Sequence, residues 1–116
     1  MTSPDCARHA DAVHMDAAAR AAIRVGTVIE LSVPGAPAPI SFTVARLVEE
    51  TGGRHCARQH ERIPWAYLGP MHEDATWAVY WMPCGAVGYE TSRLTGGASG
   101  GLVTKLRVVA EQAALL

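Results

Sequence analysis

Thr76-Trp77-Ala78-Val79-Tyr80-Trp81-Met82 is the stretch on which the fold turns. In an extended chain successive side chains point to opposite faces, so Trp77, Val79 and Trp81 share one face and Ala78, Tyr80 and Met82 the other. Both sets are apolar. A strand of that kind belongs inside a sheet that is covered on both sides. Pro83-Cys84-Gly85 interrupts the run, and residues 87–94 resume extended pairing beside it.

Upstream, residues 25–33 alternate. Val25, Thr27, Ile29, Leu31 and Val33 fall on one side, Gly26, Val28, Glu30 and Ser32 on the other, which predicts a half-buried strand. Pro34, Pro37 and Pro39 forbid regular pairing in the connection that follows. Residues 40–48 are the second strand, with Ile40, Phe42, Val44 and Arg46 in phase against Thr43, Ala45 and Leu47, and the short connection makes the pair a hairpin. Before this hairpin lie two helix-start signals. Ser3-Pro4-Asp5 precedes Cys6, Ala10, Val13 and Ala17 at helical spacing, a face of mostly small side chains, and Asp16 precedes a second segment over 17–23. The weak first face marks residues 1–15 as an N-terminal arm and 16–116 as a single β-rich domain.

Residues 49–53 read as a turn, and 54–62 fit a helix or a strand equally. Pro64 and Gly69-Pro70 break the segment that carries Trp65 and Tyr67. Residues 95–101, rich in glycine, read as a flexible loop, 102–109 as a final strand and 110–116 as a turn or two of helix. The fold class predicted is α+β, mostly β: a short N-terminal helix, then about five antiparallel strands, rolled into an SH3-like small barrel or backed by the helix. No alternation of strand and helix supports a doubly wound sheet.

With 116 residues the chain holds one core. Hydrophobic residues make up 49% and charged residues 18%, which excludes a disordered chain. Ten basic residues against eleven acidic ones give a net charge of -1, which argues against a histone-like nucleic-acid coat. Lys105 is the lone lysine, and the arginine and alanine bias is what a GC-rich coding sequence produces. Cys6, Cys56 and Cys84 are odd in number, and no basic-then-apolar leader precedes them, so a reduced, cytoplasmic protein is expected. The nearly apolar stretch 77–89 is far shorter than the ~20 residues that span a bilayer, so no membrane segment is expected.

Four constellations bear on chemistry. His55, Cys56 and His60, with His72 and Cys84 further on, are zinc-ligand types, but no CxxC or HxxxH spacing is present and no metal is assigned. Cys56 with His60 is a nucleophile–base pair without an identifiable third member, so no catalytic residue is assigned. The glycine-rich 96–101 stretch runs into Leu102-Val103-Thr104 where a phosphate loop needs Gly-Lys-Ser/Thr, so no cofactor is assigned. Arg54, Arg58 and Arg62 fall on one side of either a helix or a strand, next to Trp65 and Tyr67, and six of the seven aromatics lie between 65 and 89. Arginine, tryptophan and tyrosine carry most interface energy, so these five residues form the expected partner surface. The leading expectation is a small intracellular, bacterial or phage-type, non-enzymatic binding or regulatory module working through protein contacts. It would self-associate, as a homodimer, or dock on a larger complex. The second is a nucleic-acid-binding small barrel using the same arginines and rings, and an enzyme comes third.

Overall fold

A computed structural model describes residues 9–50, 62–72, 75–93 and 98–110. The chain is mostly β. After a single helical turn, α1 (Ala17–Arg20), come β1 (Val28–Ser32), β2 (Ile40–Glu50), β3 (Ile63–His72), β4 (Ala75–Trp81), β5 (Val87–Arg93), β6 (Ala98–Leu102) and β7 (Lys105–Ala110). All are antiparallel in one seven-stranded sheet of order β6-β5-β4-β3-β2-β1-β7. The second helix-start signal is the one used: Asp16 caps α1, its Oδ1 accepting from the Ala19 N–H at 2.8 Å. The predicted hairpin of residues 25–48 forms as β1–β2, with Ile29 opposite Phe42.

The sheet is curled into a half-barrel, and the sequence distance between its edges shows why. β6 and β7 are the two edge strands, yet only Val103 and Thr104 separate them. A flat sheet of this order would hold its edges roughly 29 Å apart. Three Cα steps reach only about 11 Å. The sheet therefore rolls until its edges meet at this corner. There the Val103 N–H donates to Val87 O at 2.9 Å, and the Thr104 N–H and hydroxyl both donate to Ser32 O. Val13, in the described part of the stretch read as an arm, fits the same corner: its N–H donates to Val103 O at 2.8 Å and its carbonyl accepts from the Val87 N–H at 3.0 Å.

Two segments differ from the sequence reading. The break expected at Pro64 and Gly69-Pro70 is absent, because β3 runs through both. Pro64 sits at the strand's second position, and Pro70 lies where the β3–β4 register shifts between Leu68 and His72, so neither proline's missing N–H interrupts a regular ladder. The described part of the glycine-rich stretch is not a loop: residues 98–101 are in β6, Gly100 opposite Glu90 and Gly101 opposite Tyr89. These glycines serve close approach. A Cβ on Gly100 would stand 2.5 Å from Tyr89 O, and one on Gly101 would stand 3.3 Å from the Tyr89 ring. β3 and β6 are the two strands added to the five expected, and the final strand expected over 102–109 is divided at Val103–Thr104 between the end of β6 and β7.

The concave side carries the main core, with Ile29, Leu31, Phe42, Val44, Val79 and Trp81 all buried. Ile23, just after α1, closes one end of it. The outer side is exposed along β2 at Ser41, Thr43 and Ala45, but at β3 and β4 it holds a second cluster of Ile63, Trp65, Ala78, Tyr80 and Met82. Both faces of β4 are thus apolar and both are covered within one chain, as the 76–82 pattern predicts. No helix among the described residues is long and apolar enough to cross a membrane.

Candidate functional site

The pleat of β3, β4 and β5 divides the aromatic side chains into two clusters. On the outer face Trp65 pairs with Tyr80 across the ladder, with ring centroids 4.7 Å apart, and stacks near Tyr67 at 6.3 Å. Tyr67 is the half-buried end of this row. Arg46 lies over its ring, 4.5 Å from the centroid, and its hydroxyl donates to Glu50 Oε2 at 2.7 Å. Arg46 faces Tyr67 because a bulge in β2 shifts the register between Val44 and Arg46. Partial burial raises the Tyr67 phenol above its ordinary 10.0, and the hydrogen bond and charge of Glu50 push it further up, with Arg46 opposing.

On the concave face Trp77 stacks with Tyr89, centroids 5.3 Å apart and planes at 17°, and Phe42 tilts against Trp77 at 5.2 Å. Trp77 and Tyr89 are both only half-buried. They line a cleft of about 530 Å³ at the open mouth of the half-barrel. Its opposite wall is the β1–β2 connection, residues 33–38, and its rim carries Thr91, Arg93 and Ser99. The Thr91 and Ser99 hydroxyls are linked at 2.9 Å, and Arg93 is exposed. Apolar walls with a few hydroxyls and one cation are the lining of a recognition pocket.

Of the five residues expected at a partner surface, Arg54 and Arg58 lie outside the described residues. Arg62 is exposed and donates to the Glu49 carbonyl at 2.6 Å. Tyr67 is half-buried further along β3, and Trp65, 6% exposed, stacks near it as core. Sequence reasoning placed Trp77 in the core and Trp65 nearer the surface; the structure exchanges those roles, because the β4–β5 register sets Trp77 at the mouth while Trp65 packs under Tyr80. The signal for the mouth was the shared parity of Trp77, Val79 and Tyr89, legible only once Val79 is known to face Tyr89.

His55, Cys56 and His60 also lie outside the described residues. Cys84 has its Sγ 3.8 Å from His9 Nδ1, and His72 ends β3. Among the described residues no three His, Cys, Asp or Glu side chains converge as a metal site. No family model matches the chain, and no curated protein or solved structure shows significant similarity to it.

Proposed function

We propose that this chain is a binding module that works through protein contacts, and that the mouth cleft receives an apolar or aromatic side chain of its partner. The observation that supports this is the half-buried Trp77–Tyr89 stack, open to a cleft whose far wall is a proline-containing connection. Rigid rings present large contact area at little entropic cost. On this reading the half-barrel is an SH3-like small barrel that acts in the cytoplasm, and its partner is a larger complex or a second copy of the chain. Arg62, exposed just before β3, is a second contact on the outer side.

The nucleic-acid reading ranks below this one for an electrostatic reason. The Tyr67 ring that Arg46 covers also has its hydroxyl held by the Glu50 carboxylate, and Arg62 is tied to the Glu49 main-chain carbonyl. A fixed anion at the ring repels a phosphate backbone. Selection from a random peptide library displayed on phage tests the proposal. Peptides rich in aromatic or aliphatic residues should emerge, should shift the amide signals of Trp77, Tyr89 and Ser99, and should lose at least about tenfold in affinity to Tyr89→Ala. A selection that yields no binder overturns it. So does steeply salt-dependent binding of a single-stranded oligonucleotide that maps to Arg62.

A further inference from the structure

The sheet has two edge strands, and only one of them is guarded. β7 carries Lys105 and Arg107, exposed charges of the kind that keep an edge from pairing with other chains; β6 carries none. The Val103 N–H donates to Val87 O, so by alternation the bonded pairs of the β5–β6 ladder are Tyr89–Gly101 and Thr91–Ser99. The exposed Gly100 therefore turns its N–H and C=O away from β5. Ser99 lines the mouth cleft on this side and residues 33–38 line the other. The β1–β7 register explains the gap between them. Ser32 pairs with Lys105, and the same count carried past the corner would set Pro37 opposite Gly100. Pro34 and Pro37 have no N–H to donate, and the Ala36 N–H turns back to Val33 O, so β1 ends and the seam beside β6 stays open. We infer that this seam takes an extended segment of a partner protein, added to β6 as a further, antiparallel strand. The inference rests on the mouth being a protein contact and gives the form of that partner.

The wall sets the chemistry of the segment. Tyr89, Thr91 and Arg93 alternate along β5 and all line the cleft, with Trp77 opposite Thr91. A segment antiparallel to β6 runs in the direction of β5. An aromatic or aliphatic side chain beside Trp77 is then followed, two residues on, by a side chain at the level of Arg93. Arg93 is exposed and is the one charged residue among the described lining residues, so an acidic side chain is its match. A second copy's β6 brings no acid to Arg93, because Ala98–Leu102 contains none, so the occupant is a different protein. In this mode main-chain hydrogen bonds give affinity and alternate side chains give specificity.

The capped peptide acetyl-Thr-Phe-Val-Glu-Val-Thr-amide puts a ring and a carboxylate on one side of an extended chain, and titrating it into the full chain tests the inference. Saturable shifts are expected at the Trp77 indole and at Tyr89, and exchange of the Gly100 N–H should slow at least about tenfold at saturation. N-methylation of the peptide reads the ladder while leaving the protein untouched. Blocking the valine between ring and carboxylate, whose N–H would face β6, should weaken binding at least about tenfold. Blocking the ring residue or the acidic residue should change it less than about twofold. Arg93→Gln, at an exposed position, should weaken the peptide about threefold and erase its advantage over the same peptide with glutamine in place of glutamate. With Trp77 and Tyr89 shifted, an unslowed Gly100, N-methyl effects without a two-residue period, or slowing at β7 in its place overturns the inference alone. Protection of Gly100 in a peptide-free dimer assigns the edge to a second copy and overturns it too. Absence of any shift at Trp77 and Tyr89 overturns the mouth reading along with it.

Discussion

The outer and concave aromatic clusters share strand β4, yet they are finished differently. Outside, Tyr80 is buried over Gly88, Trp65 is packed between Tyr80 and Tyr67, and the exposed end of the row is tied off by Arg46 and Glu50. Inside, Trp77 and Tyr89 stack on each other and on Phe42 but keep an open face toward the mouth cleft. The outer rings have spent their contact area on the fold. The inner pair retains area for a ligand. Residue type alone does not mark a binding surface; what distinguishes the two clusters is whether neighbouring side chains already complete the contacts.

The largest effect that would break this contrast is loss of Tyr80. Its ring is 2% exposed and fills the space over Gly88, where an added Cβ would lie 2.5 Å from ring carbons. Tyr80→Ala should cost about 3–5 kcal/mol, the usual range for removing a buried ring. Gly88→Ala approaches the same contact from the other strand and should cost about 1–3 kcal/mol by overpacking, since a buried ring has nowhere to turn. Urea unfolding of both variants measures this, and a loss under about 0.5 kcal/mol for Gly88→Ala would show that the ring is not held against the strand.

Trp77→Ala should reverse the proportions. The ring is half-buried, so its removal should cost about 1–2 kcal/mol of stability, less than Tyr80→Ala, while peptide binding at the mouth falls by at least about tenfold. Equal stability losses for the two variants, with peptide binding intact, would mean that the concave pair is core like the outer one. Calorimetric titration beside urea unfolding separates the outcomes.

The β1–β2 hairpin, the Asp16 cap and the doubly buried β4 were legible because each rests on a local pattern: alternation, one capping side chain, two apolar parities. A rolled sheet was one of two alternatives, but how the sheet rolls was not legible, because it depends on Val103–Thr104 linking strands at opposite edges, a fact of strand order that no local pattern carries. The glycines at 100 and 101 misled for a related reason. Their flexibility is a property of the isolated chain, and their place in β6 is dictated by Tyr89 in the adjacent strand. Trp65 was misplaced because its neighbouring prolines suggested a loop, whereas β3 continues through them. The candidate site was therefore legible as a composition, with aromatics concentrated between 65 and 89, but not as a location.

The smallest effect lies at the exposed end of the outer row, where Tyr67→Phe removes one hydroxyl and its bond to Glu50 while leaving the stack and Arg46 in place. At neutral pH the loss should be about 1 kcal/mol, because the acceptor is charged but the pair is only partly shielded from water. The pH dependence gives the sharper test. Burial first, and then Glu50, hold the folded-state phenol above its unfolded value of 10.0, so the hydroxyl stays protonated more readily in the folded chain. A raised pKa contributes stability that is fully present below the unfolded value and is lost as pH rises through the folded one. The gap in urea midpoint between the unmodified chain and Tyr67→Phe should therefore hold steady up to about pH 10 and close above it. A gap that stays constant into strong alkali would show that Glu50 does not govern the ring. The exposed end would then resemble the concave pair, with contacts still to be made.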